Sequence, residues 1–210
     1  IGKGEIQDGA LEGVEAIVHL AGAGVADKRW TEARKKLILE SRTKSTALLM
    51  EKLSALERKP KVFIGASAIG YYGADTGDTI IDEKSPAGDD FLAQVVKSWE
   101  ASSAPVEGMG IRRVLIRVGV VLSASGGALP QLLAPLKFGF GAPLGTGRQW
   151  MSWIHIDDLC RLFLEAIENT TYSGVYNGVS PSPVTNKEIT KEAARVLKKP
   201  LWLPPVPGFV

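Results

Sequence analysis

The sequence predicts an α/β fold built on a parallel sheet, and three observations carry that expectation. Short apolar runs at Ala16–Leu20, Lys61–Ala66 and Arg113–Val118 read as buried strands. Segments with helical spacing of apolar residues separate these runs, and alternation of strand and helix is the pattern of parallel pairing. The composition, 45% hydrophobic and 23% charged over 210 residues, supplies enough apolar material for one core.

Ala16-Ile-Val-His-Leu20 closes on Ala21-Gly22, so a strand feeds a loop there. From Thr31 to Leu56 the apolar positions Leu37, Ile38, Leu48, Leu49 and Leu53 lie between Lys and Glu, which predicts an amphipathic helix. Pro60 precedes the second strand, which ends at Ser67 and the turn Gly70-Tyr-Tyr-Gly73. Polar residues from Asp75 to Asp90 form a loop, and a helix is expected from Phe91 to Glu107. The third strand, Arg113–Val118, is expected to continue towards Leu122.

After Gly126-Gly127 a helix is expected over Ala128–Phe138, then a loop over Gly139–Gly147, where glycines supply unusual backbone angles. Trp153-Ile-His-Ile156 leads into a helix capped by Asp157 or Asp158 and running to Glu168. Val175-Tyr-Asn177 is a last short strand. Thr185-x-x-Glu188 has capping-box spacing and opens a helix to Lys198.

The charge balance, 25 basic against 23 acidic residues for a net +2, creates no field to recruit nucleic acid or an anionic membrane. A single cysteine, Cys160, excludes an intrachain disulfide, and no Cys/His cluster has metal-ligand spacing. No apolar run approaches the roughly 20 residues of a membrane-spanning helix, and the first ten residues are not a signal peptide. The expectation is a cytoplasmic protein with a small-molecule substrate, no nucleic-acid or membrane partner and no metal.

A dinucleotide-binding turn places backbone N–H groups and a helix N-terminus against a pyrophosphate. Gly22-Ala-Gly24 follows a strand, but the third position of G-x-G-x-x-G is Asp27, whose carboxylate has the wrong sign. Taken by itself the segment is a loop after a central strand.

His19-Leu-Ala-Gly22 resembles the end of the fourth strand in extended short-chain dehydrogenase/reductases. Further matches follow in that family's order: Ser67 with Tyr71-Tyr72-Gly73, Arg117-Val-Gly-Val-Val-Leu122, Trp153-Ile-His-Ile-Asp-Asp158 and Tyr176-Asn177-Gly178. Arg29-Trp30, Ser41-Arg42, Trp99-Glu100, Gly126-Gly-Ala-Leu129 and Gly147-Arg-Gln-Trp150 are similar to the NAD-dependent epimerase/dehydratase family, within its YfcH/SDR39U1 subgroup.

The resemblance implies a Rossmann-like, doubly wound parallel sheet occupying residues 1–200, with 201–210 opening a C-terminal segment near Pro204-Pro205-Val206-Pro207. Measured against it, the first strand, its glycine-rich turn and the first helix are missing from this chain. It implies NADP or NAD as cofactor, with Leu20, Ala21, Gly22 and Arg29 on one side, and Ala66, Val118, Gly119 and Val120 near the nicotinamide. Gly119 would permit a close approach, or the segment is an ordinary strand end. Arg148, Gln149 and Trp150 take the place where extended members meet a substrate phosphate, or form a solvated loop. Arg29 and Arg42 could reach a cofactor phosphate.

The family's catalytic tyrosine and the lysine four residues later share a helix face. Anchored on Trp99-Glu100, those positions fall on Leu92 and Val96, which exchange no proton, and Lys97 is turned about 100° away. Ser67 and Tyr72, with Tyr71 as the alternative in the adjacent register, are then the catalytic candidates. His155, between two isoleucines, and His19 are read as structural. Two functions follow: an NAD(P)-dependent oxidoreductase or epimerase acting on a hydroxy or keto compound or a nucleotide sugar, or a catalytically impaired NAD(P)-binding regulatory or interaction protein. Fold alone does not decide between them.

Overall fold

In the computed structural model, which describes residues 4–201 and 203, strands and helices alternate along most of the chain. In order they are β1 (Ala16–His19), α1 (Glu32–Ala55), β2 (Val62–Ala68) with a 3₁₀ turn at Ile69–Tyr72, α2 (Phe91–Ser102), the single turn α3 (Pro105–Gly108) and β3 (Arg112–Val118). Then follow β4 (Val120–Ser123), β5 (Gly126–Gly127), α4 (Ala128–Lys137), β6 (Trp150–Met151), β7 (Trp153–His155), α5 (Ile156–Glu168), β8 (Gly174–Gly178), β9 (Val184–Thr185) and α6 (Asn186–Leu197). The C-terminal segment expected near Pro204–Pro207 lies outside the described residues.

The chain divides into two compact units. The first holds the described residues up to Ala74 with Ile81–Arg117 and Phe163–Asn177; the second holds Asp75–Ile80, Val118–Leu162 and the described residues from Gly178 onward.

The first unit is built on a four-stranded parallel sheet in the order β1-β2-β3-β8. β1 runs beside β2 in parallel, with His19 opposite Gly65, so Leu20 to Gly22 leave β1 level with the tip of β2. Thr31 caps α1 by accepting from the Arg34 N–H, and Ile38, Leu49, Met50 and Leu53 turn inward as the helical spacing requires. Leu37, expected on that face, is half exposed. Leu49, Met50 and Leu53 pack with Ile17, Phe63, Val106 and Ile111, each fully buried apolar side chain stabilising by about 1.5–3 kcal/mol. Arg112, at the start of β3, donates to the carbonyls of Ala166, Ile167 and Tyr172 and so satisfies the open C-terminal end of α5.

The second unit carries a three-stranded sheet, β5-β4-β7, and a two-stranded one, β6-β9. The Thr185–Glu188 capping box is formed in full and opens α6, which packs on α4.

Three expected elements differ. The helix from Phe91 stops at Ser102 because Pro105 has no N–H to give the Ala101 carbonyl, and Ala104 donates there instead. The third strand does not continue to Leu122: at Gly119 the chain changes partners, Gly119 N–H donating to Gly178 and Val120 N–H to Ser152. α5 begins at Ile156, so both aspartates lie inside its first turn, and it is the His155 ring that accepts from the Asp157 N–H at 3.2 Å.

Candidate functional site

The tips of β1 and β2 carry small or exposed residues. Leu20 is 62% exposed, Gly22 is exposed and Ala21 is half-buried. On β2, alternation leaves Ala66 and Ala68 half-buried on the open side and turns Ser67 inward, where it is only 3% exposed. A pocket of about 540 Å³, of the size that holds small ligands, opens beside β1 between His19, Ala21, Leu37, Ser41 and Leu48.

Beneath the tip of β2 lies a continuous polar network. Ser67 donates to Glu100 Oε1 at 2.6 Å. Arg117 clasps the same carboxylate at two points, Nε to Oε1 at 2.8 Å and Nη2 to Oε2 at 2.9 Å. Its Nη1 donates to the Tyr72 hydroxyl at 2.9 Å, and Tyr72 donates onward to Asn177 Oδ1 at 2.8 Å. A guanidinium has no acceptor, so the phenol oxygen must receive from Arg117 and send its proton to Asn177. Burial opposes the charge on Arg117, but hydrogen bonds to Glu100 and Tyr72 and the Glu100 charge hold the guanidinium above its ordinary value.

The two tyrosines are differently placed. Tyr72 is 8% exposed and its hydroxyl is fully engaged. Tyr71 is half-buried, its ring lies under the Arg117 guanidinium at 3.4 Å, and its hydroxyl has no hydrogen-bond partner among the described residues.

α2 carries the three residues weighed for the missing proton-exchanging pair. Val96 is buried, Leu92 packs near Gly70, and Lys97 is exposed. Neither Leu92 nor Val96 can exchange a proton.

Gly22-Ala-Gly24 leads into a bent loop, with α1 beginning only at Glu32, and Asp27 turns its carboxylate towards Gly24. Arg29 is exposed. His19 is buried, and Thr46 donates its own proton to the Arg42 carbonyl, leaving its oxygen to accept from His19 Nε2 at 3.1 Å. Burial lowers the His19 pKa, so the neutral ring is favoured.

In the second unit, Val118, Gly119 and Val120 are half-buried. A Cβ on Gly119 would meet the Ser152 carbonyl oxygen at 2.5 Å, so the close approach its glycine permits is to that backbone. Arg148, Gln149 and Trp150 are exposed. Gln149 donates to the Leu144 carbonyl and Trp150 to Asp78, which fixes the loop.

The first unit thus brings Ser67, Tyr71 and Tyr72 together around one guanidinium. Glu100, Arg117 and Asn177 had received no role from the sequence. The available signal was Arg117 itself, a charge inside the apolar run Val114-Leu-Ile-Arg-Val118, which a buried strand tolerates only with a partner. Among the described residues no cluster of His, Cys, Asp or Glu could hold a metal, and no helix is long and apolar enough to cross a membrane.

Comparison with known proteins adds four likenesses. The model of the NAD dependent epimerase/dehydratase family matches residues 5–177. The chain is 42% identical over 202 residues to the chloroplastic epimerase family protein SDR39U1 homologue of Arabidopsis thaliana, covering 95% of this chain and 57% of that protein's length. It superposes on the crystal structure of human epimerase family protein SDR39U1 (isoform 2) with NADPH at a TM-score of 0.88 and 35% identity, over 94% of this chain and 68% of the human one. A nucleoside-diphosphate sugar epimerase from Corynebacterium glutamicum is 40% identical at a TM-score of 0.76, over 89% of this chain and 40% of that one.

Proposed function

We propose, for a chain that belongs to the NAD dependent epimerase/dehydratase family, that it binds NADP or NAD at the tips of β1 and β2 and oxidises or reduces a hydroxy or keto compound or a nucleotide sugar. The observation that carries this reading is the pairing of small residues at two adjacent parallel strand ends. Ala21 just past the end of one strand, and Ala66 and Ala68 on the next, leave room for a ligand, and ligands of open α/β sheets gather at that end. The residues present therefore fit a dinucleotide. The relatives support the choice: the human one is solved with NADPH, and the Corynebacterium one is called a nucleoside-diphosphate sugar epimerase.

When bound, the nicotinamide supplies hydride exchange at a carbinol carbon. The chain's own residues supply position and proton handling. Leu20 to Gly22 line the passage of the dinucleotide and Ala66 the approach of its nicotinamide. The resemblance gives cofactor contacts to Val118, Gly119 and Val120 as well, and to Arg29. Tyr71 offers an uncommitted hydroxyl to the reacting oxygen, while Ser67 and Tyr72 hold the floor through Glu100 and Arg117. Arg148, Gln149 and Trp150 are the proposed substrate contacts, the arginine suited to a phosphate by its planar fork.

One set of observations favours a second reading, cofactor binding without turnover in a regulatory or interaction protein. By the resemblance, Leu92 and Val96 take the places of the proton-exchanging pair, and the hydroxyls of Ser67 and Tyr72 already donate to Glu100 and Asn177. The two readings separate in one experiment. NADPH and NADH are titrated by fluorescence, then incubated with a panel of carbonyl compounds and nucleotide sugars. Binding with oxidation of the cofactor by a panel member supports the enzyme, binding without it supports the second reading, and no binding of either cofactor ends both.

A further inference from the structure

We propose that Trp30, braced by Phe91, is a stacking platform for the sugar ring of a nucleotide-sugar substrate, an inference that rests on the nucleotide-sugar form of the reading above. Among the described residues of the first unit, Trp30 is the one aromatic side chain left open to solvent, at 41% exposure. A single exposed apolar side chain is ordinary in itself. The way this one is held is not. Its Nε1–H donates to the Val25 carbonyl at 2.7 Å, and the Phe91 ring meets it edge-on, with centroids 5.3 Å apart and planes at 65°. Its backbone runs directly into Thr31, the cap of α1. Lys35, one helical turn on, holds its ammonium 5.6 Å over the Phe91 ring. An aromatic side chain fixed in one orientation gives a stacking contact with little further loss of entropy.

Position ties the pair to the strand tips. Val25 lies on the loop that leaves β1, and Phe91 is the first residue of α2, whose Leu92 packs near Gly70 in the turn that carries Tyr71. The loop off β1 and the helix start beside β2 therefore meet at the Trp30–Phe91 contact, on the rim of the proposed groove. Chemistry selects the occupant. With its N–H committed to Val25, the exposed indole offers carbon surface alone, and near its Phe91 edge the Lys35 ammonium and the Glu32 carboxylate form a solvent-facing pair at 3.0 Å. A pyranose has a face of C–H bonds to lie on the indole and a rim of hydroxyls, each able to donate to a carboxylate or accept from an ammonium. The sugar also carries the carbinol carbon that exchanges hydride, so the sugar and not the base must reach the groove.

UDP-glucose, UDP-galactose and UDP are titrated calorimetrically into the protein and into Trp30→Leu, Trp30→Phe and Phe91→Leu, with NADPH titrated into each. The better-bound sugar nucleotide is expected to bind more tightly than UDP. Trp30→Leu should cut that advantage about three- to ten-fold, Phe91→Leu should cut it less, and Trp30→Phe should keep most of it. Affinities for UDP and NADPH should stay within about two-fold in all three variants. Indole emission should shift to the blue when a sugar covers Trp30, and Trp30→Phe should lose that shift; if Trp30→Leu does not fold, this signal decides. The proposal is overturned by a sugar advantage unchanged in Trp30→Leu, by no advantage over UDP in the unaltered protein, or by no emission shift. An equal loss for UDP and its sugars, which would put the base on the indole, overturns it as well. Each of these results with NADPH still bound sinks only the platform, whereas a Trp30-dependent sugar advantage without NADPH binding sinks only the cofactor reading.

Discussion

Arg117 on β3 and Glu100 on α2 form a two-point ion pair in which neither side chain is more than 12% exposed. The pair ties helix to sheet directly under the tip of β2, and Ser67 and Tyr72 hang from its two ends. Removing one partner leaves an uncompensated buried charge, which costs about 3–5 kcal/mol. Arg117→Met and Glu100→Gln should each lower stability by roughly that amount in urea unfolding, and the double variant should lose clearly less than the sum. Additive losses would show that the two side chains act separately.

The tyrosines predict a contrast. Tyr72→Phe leaves Arg117 Nη1 and Asn177 short of a partner and should destabilise by about 1–3 kcal/mol. Tyr71→Phe removes a hydroxyl without a protein partner among the described residues and should stay within about 0.5 kcal/mol. Thermal unfolding of the two variants checks the order, and equal losses would contradict it.

Much of the fold was legible in the sequence: the strands at Ala16, Lys61 and Arg113, the helix that follows Thr31 and the Thr185–Glu188 box are local patterns. What escaped was set by partners distant in sequence. Nothing near Arg117 announces Glu100, which lies 17 residues earlier on another element. The break at Gly119 looks like continuous strand because Val118 and Val120 are both β-formers, and the change of partner from Gly178 to Ser152 decides it. The strand ends that carry the candidate site were legible, but not their polarity, because which face of β2 carries Ser67 depends on what packs below.

Gly119 itself gives a further expectation. Alanine there would press its methyl group to 2.5 Å from the Ser152 oxygen and 2.8 Å from Val179 Cγ1. Relief requires backbone movement, so Gly119→Ala should destabilise by about 1–3 kcal/mol in thermal unfolding. An unchanged midpoint would mean that the strand junction is looser than described.

His19 predicts a pH dependence. Burial lowers its pKa below the ordinary 6.5 in the folded chain, so between the folded value and 6.5 the unfolded chain binds more protons. Its contribution is present above about 6.5 and is lost as pH falls through that window. Urea midpoints measured across mildly acidic pH should fall, and His19→Gln should flatten the fall. The same slope in both proteins would remove His19 as its source.

The central claim is that the tips of β1 and β2 receive a nicotinamide dinucleotide, and the most direct measurement is a crystal structure of the protein grown with NADPH. The account predicts the dinucleotide passing beside Leu20–Gly22, the nicotinamide ring in van der Waals contact, within about 4 Å, with Ala66, and the Tyr71 hydroxyl turned towards it. NADPH bound elsewhere, with Leu20–Gly22 and Ala66–Ala68 left in solvent, would contradict it.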